Sequence, residues 1–587
     1  MTSVVVQVLR RLTKSERWQL GGIVGLIFLG MILEMLSLSL ILPLVGLVTR
    51  EDYSIATISW LPQVVKEFDQ AHLLQIALGA FVGLYAFKST FLLWSNWIQK
   101  SFSARLSTRF SDELFDVYIN QPYNYYLNTN SSSLIRKSQN SGIFVGGVID
   151  PSLSLLTDGS VAVALAILLI AVEPLGTVLV LTTFVAATLA FQRFTKRRIR
   201  HWGAEKNRLG ELQLKILQQS LGGIRDVTLY GRQNFFREAY FKQIFDNAMI
   251  TRKFDTVLIM PRLWLELITV SSLFLAVVVM NAQDRSLSEI GVALTLYAGA
   301  AFRVMPSVNR LVAAFQNLAF SRHLVKEIGD DLELVKMAKG SDAPPIKLNS
   351  GIRIDRVSFR YGPDLPWVLH ECSAVFRKGR TIGIIGSSGS GKSTLVDLLL
   401  GFLDPTKGRI FVDEQDVRHV RISWMKSVGY VPQEIFLLDD TIEANVAFGV
   451  DTDFVDRLRV VEALNQARLG DFVFNLGNGL ETVIGERGVR MSGGQRQRLG
   501  IARALYANPD VLLFDEATSS LDSQTEKELM SEISELGRTR TTIQIAHRLE
   551  TIRNCDDIFR ISDGVIALLN KNERLEVFGP TKSENGQ

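Results

Sequence analysis

Three features of this 587-residue sequence predict an α-helical six-span transmembrane domain fused to a cytoplasmic α/β domain. Long apolar runs dominate up to about residue 320. From about residue 350, short strand-like runs alternate with glycine-rich turns and charged helical stretches. Between the halves lies a polar stretch that contains Pro344 and Pro345. The expected division is therefore 1–328 for the membrane domain, 329–349 for a linker and 350–587 for the second domain.

Six apolar runs are long enough to cross about 30 Å of hydrocarbon. They fall near 18–48, 73–97, 154–172, 174–192, 256–280 and 288–318. Basic residues set their orientation. Arg10, Arg11, Lys14 and Arg17 precede the first run, and Arg193, Lys196, Arg197, Arg198, Arg200, Lys206 and Arg208 follow the fourth. The 49–72 loop is richer in acids, with Glu51, Asp52, Glu67 and Asp69. The positive-inside rule then places both termini and the 193–255 segment in the cytoplasm. The connections 98–153 and 193–255 are long and amphipathic, and they read as helices running on past the bilayer. Net charge is only +4, which gives no case for a nucleic-acid partner. Cys372 and Cys555 lack CxxC or metal-type spacing, which argues against a disulfide framework or a thiolate zinc site.

Chemistry concentrates in the second half. "TIGIIGSSGSGKSTLVDLLLG" runs from an apolar strand through Gly386, Ser387, Gly389, Ser390 and Gly391 into Lys392, Ser393 and Thr394, then into a helical pattern. This is a P-loop in its required strand–loop–helix setting. Glycines let backbone N–H groups approach phosphate oxygens, Lys392 adds a point charge, and Ser393 can ligate Mg²⁺. "VLLFDEATSSLD" is a buried-strand run ending at Asp515 and Glu516. One carboxylate there can hold a hydrated Mg²⁺ and the next can polarise an attacking water.

Between these two motifs, "MSGGQRQRLGIARALYANPD" resembles the signature of ATP-binding-cassette ATPases through Ser492, Gly493, Gly494 and Gln495. The rest of that family's motifs follow in order. Tyr361 matches the aromatic that stacks on adenine, Gln433 the residue that senses Mg²⁺ and the γ-phosphate, and Glu486 a short exporter segment before the signature. Asp522 matches the D-loop and His547 the switch histidine. The resemblance implies ATP and Mg²⁺ as cofactors, with Glu516, His547, Gln433 and Lys392 as catalytic groups and Ser393, Gln433 and Asp515 around the metal. It also implies two cassettes closing head to tail, hence a second copy of this chain as partner. Six spans followed by one cassette resemble an exporter half-transporter, in which 121–128 and 224–233 would be coupling helices.

Charges inside the apolar runs bear on the cargo. Arg303 lies about 15 residues, roughly 22 Å, into the sixth run. Glu34, Lys88, Arg262, Glu266 and Arg310 also lie within runs. Burying such groups in hydrocarbon is unfavourable, so they have a purpose. Two readings stand: Glu34 pairs with Lys88 or Arg303 to lock helices, or Lys88, Arg262 and Arg303 line a basic cavity for a phosphate-bearing substrate, with Glu34 beside them. "LGMILEMLSLSLILPLVGLV" is similar to the first span of bacterial lipid-linked-oligosaccharide flippases of the protein-glycosylation type. That resemblance implies an ATP-driven flippase for a polyprenyl-pyrophosphate glycan in the bacterial inner membrane, with lipid as a further partner. The rivals are multidrug, lipid A-type and peptide exporters.

Overall fold

The computed structural model describes residues 2–40, 70–172, 174–283, 287–334, 344–516, 540–545 and 549–578. Two compact units emerge: Met1–Gln121 with Tyr125–Met337, and Pro122–Asn124 with Ala338–Gln587.

The first unit is helical. The helices up to residue 331 are α1 (Thr2–Arg10), α2 (Lys14–Ser39), α3 (Gln70–Ile119), α4 (Tyr123–Asn128), α5 (Ser131–Gln139), α6 (Ser141–Gly146), α7 (Ile149–Val172), α8 (Pro174–Gly222), α9 (Ile224–Leu229), α10 (Gln233–Ala282) and α11 (Leu287–Asp331); the first two residues of α4 group with the second unit. The six apolar runs fall on α2, α3, α7, α8, α10 and α11. The end of the first run, beyond residue 40, lies outside the described residues. Hydrocarbon offers no hydrogen-bond partner, so each run satisfies its own backbone as a helix. Among the described residues, Lys14–Ser37, Leu74–Ile119 and Ser141–Ile167 are long and apolar enough to cross a membrane.

Helix α3 spans 50 residues, about 75 Å and far more than a bilayer needs. Helices α8 and α10, of 49 and 50 residues, behave alike. The long connections are thus continuous with the spans, as their amphipathic pattern predicts. Burial changes along α3 accordingly. Leu93 and Trp97 are exposed, whereas Phe102, Leu106, Phe110 and Leu114 are buried at helical spacing. They pack with Phe144, Val325 and Ile328, and the Phe110 and Phe144 rings meet edge-on at 5.1 Å. In the extensions the driving force is exclusion of apolar surface from water, so the core sits there.

Helix α1 has no counterpart in the sequence reading. Val8 packs it into the same core. After it, Thr13 and Glu16 form a reciprocal cap that starts α2: Thr13 N–H donates to Glu16 Oε2 at 2.7 Å, and Glu16 N–H to Thr13 Oγ1 at 3.3 Å. The Arg11 guanidinium donates to Leu332 O and Gly329 O, each at 3.3 Å, and so satisfies carbonyls at the end of α11. Pro261 and Pro306 sit inside α10 and α11, and both helices continue through them.

The second unit holds two sheets. Its strands are β1 (Gly351–Phe359), β2 (Leu369–Arg377), β3 (Thr381–Gly386), β4 (Lys407–Val412), β5 (Gln415–Asp416), β6 (Val428–Val431), β7 (Val511–Asp515), β8 (Thr541–Ile545), β9 (Asp557–Ser562) and β10 (Val565–Leu568). Its main helices are α12 (Lys392–Leu400), α13 (Val417–Ser427), α14 (Arg457–Gln466) and α15 (Gly493–Tyr506). The smaller sheet is antiparallel, in the order β2-β1-β4-β5. The larger runs β10-β9-β3-β8-β7-β6, parallel from β9 to β6, with β10 antiparallel at its edge. Every residue of β7 and β8 is buried, as expected of central parallel strands covered on both faces. Leu395 and Leu399 of α12 join the core, and the Trp424 indole donates to Leu399 O at 2.7 Å.

Candidate functional site

Strand order explains how residues far apart in sequence meet. Parallel strands β3, β7 and β6 end at Gly386, Asp515 and Val431, so their following loops share one edge of the sheet. Open α/β sheets bind ligands at that edge.

The loop after β3 has no room for side chains at two glycines. A Cβ on Gly386 would sit 2.6 Å from Ile561 O and from Ser390 Oγ. Gly391 has φ of 102°, and a Cβ there would come 2.9 Å from the Leu369 side chain. Lys392 is buried, and its ammonium donates to Gly386 O and Ser387 O at 2.9 Å each. Among the described residues no carboxylate pairs with it. The Ser390 hydroxyl is buried without a hydrogen-bond partner. A cradle with a buried ammonium, an unsatisfied hydroxyl and open backbone N–H groups is suited to a polyphosphate. The Tyr361 hydroxyl lies 3.1 Å from Thr394 Oγ1, and its ring is partly exposed beside this cradle.

Gln433 and Glu516 come together: the Gln433 amide donates to Glu516 Oε2 at 2.7 Å. Glu516 has φ of 51°, a left-handed backbone that few non-glycine residues adopt. Its N–H is held by Ile545 O at 3.0 Å. Asp515 beside it is buried. The exposed Ser393, with Gln433 and Asp515, offers hydroxyl, amide and carboxylate oxygens, a donor set that fits Mg²⁺ better than a transition metal. Asp522 and His547 lie outside the described residues.

Asp397 was missed by sequence reasoning, although a lone acid within "LVDLLL" was its signal. Burial pushes its carboxyl up to about 6, and the Asp515 charge adds to that. A carboxyl raised in the fold stabilises the folded state below its unfolded value and loses that contribution as pH rises through about 6. Asp397→Asn is therefore expected to raise the thermal midpoint at pH 8 by about 2–4 °C, allowing for partial exposure. The gain should shrink towards pH 5; a gain equal at both values would refute this assignment.

At the signature, Ser492 caps the 14-residue helix α15. Its hydroxyl accepts from Gln495 N–H at 3.2 Å, while Gln495 Oε1 accepts from Ser492 N–H at 2.8 Å. Both side chains are engaged in this reciprocal cap, and Gly493 and Gly494 open the helix N-terminus. Tyr123, which groups with the second unit, has its ring 5.2 Å from that of Phe402.

Among the described residues, several charges of the membrane helices are paired. Lys88 Nζ lies 3.6 Å from Glu34 Oε1, 3.3 Å from Ser37 Oγ and 3.8 Å from the Tyr85 ring centre, and Glu34 and Lys88 are both buried. Arg262 binds Glu266 at 3.1 Å one turn along its own helix, and both are largely exposed. Arg310 binds Asp158 at 2.7 Å; this buried acid was also missed by the sequence reading. The described residues thus join Glu34 to Lys88 and leave Arg262 with Glu266. The side chain of Arg303 lies outside the described residues. A cavity of about 450 Å³ opens within the first unit, lined by Glu34, Ser95, Asn96, Gln99, Thr157 and Asp158 among others. The Lys100–Asp150 pair, 2.7 Å apart, lies on its wall.

Such features define a class: P-loop nucleotide hydrolases joined to a membrane-spanning helical domain. Comparison with known proteins narrows it. Residues 369–519 match the ABC transporter family and residues 25–304 its transmembrane region. The "ATP-dependent lipid A-core flippase" of Saccharophagus degradans is 31% identical over 478 residues, 80% of this chain and 79% of that protein. The "ATM1-type heavy metal exporter" of Novosphingobium aromaticivorans is 42% identical over 235 residues, which are 40% of this chain and 38% of that one. A solved bacterial Atm1-family ABC exporter with ATP bound is 26% identical, with a TM-score of 0.79 over 96% of both chains. The chain belongs to the ABC transporter family, as an exporter-type half-transporter that hydrolyses ATP to drive transport.

Proposed function

We propose that the chain forms a homodimeric flippase for a lipid-linked, anionic oligosaccharide of the polyprenyl-pyrophosphate type. The observation that carries this reading is the 450 Å³ cavity. Amides and hydroxyls of Ser95, Asn96, Gln99 and Thr157, with paired carboxylates, offer the hydrogen bonds a sugar head group needs. The outer faces of the same helices are apolar and exposed, as at Leu93, Val163 and Ile167, and suit a hydrocarbon tail left in lipid. Arg303 is the cation assigned to the pyrophosphate. Glu34 and Lys88 enter as a pair, and Arg262 serves nearer the cytoplasmic face. Relatives named "ATP-dependent lipid A-core flippase" support a lipid as cargo.

In the second domain, joined through a linker assigned to 329–349, Tyr361 would meet the base of ATP and the Gly386–Thr394 loop its phosphates. Ser393, Gln433 and Asp515 would hold Mg²⁺, which would neutralise phosphate charge. Glu516 accepts the proton of the attacking water, Gln433 orients that carboxylate, and His547 is assigned the switch role. The partner's signature residues, equivalent to Ser492–Gln495, and its Asp522 complete each site. Segments 121–128 and 224–233 are assigned as coupling helices from their positions in the chain. Both termini are assigned to the cytoplasmic side of a bacterial inner membrane.

The test uses purified protein in liposomes. Wild type is expected to translocate a polyprenyl-pyrophosphate oligosaccharide in an ATP-dependent manner. Arg303→Ala should hydrolyse ATP yet move the lipid at least tenfold more slowly, on the order of a lost charge-assisted bond. ATP hydrolysis by wild type without glycan-lipid movement would sink the cargo assignment, and movement of lipid A instead would replace it.

A further inference from the structure

At the start of the first unit, α1 and α2 border a wide-open groove of about 580 Å³. Val6, Leu9, Leu20 and Val24 form its apolar walls, and Gly21 its floor. Arg10 and Arg17 stand at the same groove. Their arrangement is fixed by the chain itself, because Arg17 Nη2 donates to Arg10 O at 3.2 Å and so ties the end of α1 to the first turn of α2. Neither arginine pairs with a carboxylate among the described residues. That is unlike their neighbours: Arg11 turns inward to Glu333 at 3.4 Å, and Glu16 is taken by Arg109 at 3.0 Å.

The groove's position limits what can fill it. It lies where the first membrane helix begins, next to Trp18, which is 83% exposed. An exposed tryptophan flanked by Lys14 and Arg17 marks the water–lipid boundary. Val8 is fully buried in the protein core and Leu9 packs partly against it, while Val6 is exposed at the groove. An open apolar slot at head-group depth, with two arginines lacking counter-charges, is complementary to one molecule with a hydrocarbon chain and an anionic head.

We infer that this groove is a binding site for a single anionic phospholipid. One acyl chain lies along Val6, Leu9, Leu20 and Val24, and the phosphate sits between Arg10 and Arg17. The site is separate from the cargo cavity, and it stands or falls independently of the substrate proposed above.

The experiment titrates the full-length detergent-solubilised protein with phosphatidylglycerol and counts retained lipids by native mass spectrometry. Wild type is expected to hold one phosphatidylglycerol in preference to phosphatidylcholine. Arg10→Gln combined with Arg17→Gln should weaken that binding roughly 10- to 30-fold, and Lys14→Gln by less than about twofold. Gly21→Trp tests shape with the charges intact, since a side chain there meets only open space. It should block the lipid as completely as loss of the arginines. Basal ATPase rates of all variants in phosphatidylcholine nanodiscs should stay at the wild-type level, which shows that each has folded. Unaltered binding in Gly21→Trp would overturn the site. So would an equal loss in Lys14→Gln, which would reveal a diffuse basic surface, or displacement of the lipid by millimolar inorganic phosphate or by an acidic peptide.

Discussion

Glu516→Gln should retain nucleotide binding and lose ATP turnover by about 100-fold or more. The geometry makes this a clean substitution. A glutamine oxygen still accepts the Gln433 amide that now reaches Oε2 at 2.7 Å, so the local hydrogen bond survives. Only the ability to take a proton from water is removed. The left-handed backbone at this position, φ 51°, is no harder for glutamine than for glutamate. Phosphate release and binding of a fluorescent ATP analogue would be measured on the same preparation. Turnover within about threefold of wild type would move the general-base role elsewhere.

Glu34→Gln is expected to lower the thermal midpoint of the protein by roughly 5–10 °C. The substitution leaves a buried ammonium at Lys88 without the carboxylate now 3.6 Å away, inside helices that face hydrocarbon. Removing both charges as Glu34→Gln with Lys88→Met should recover most of that loss, because a neutral pair has no charge to desolvate. Transport by the double variant then separates the two readings of these residues. Recovered stability with recovered flipping makes the pair a lock between α2 and α3. Recovered stability without flipping makes it a contact for cargo. No recovery of stability would contradict the pairing itself.

Much of the second domain was legible because its chemistry is local. Gly386 to Thr394 are contiguous, and the strand before them and the helix after them are written in the same short stretch. The meeting of Gln433 with Glu516 depends on strand order instead, which no local pattern contains. Ser492 and Gln495 carry an S-x-x-Q capping pattern, yet the resemblance drew attention to nucleotide contacts alone, and the reciprocal cap emerged from the structure. In the membrane domain the apolar runs located helices well but could not say which are neighbours. Glu34 had Lys88 and Arg303 as equal prospects until α2 and α3 were seen side by side. Asp158 was overlooked as a lone acid near the start of an apolar run, and its partner Arg310 lies 152 residues away. Helix α1, at nine residues, is too short for periodicity to stand out.

The continuity of α3 has a mechanical consequence. A rod of about 75 Å that stays hydrogen-bonded from end to end transmits rotation without absorbing it. Tilting it by about 5° displaces its far end by roughly 6 Å, more than one helical turn. Such a tilt asks little of any single side-chain contact along its length. Stiffness of this kind gears a small angular change at one end into a large linear stroke at the other, and a glycine pair or proline placed near Phe102 would act as slack in that gearing.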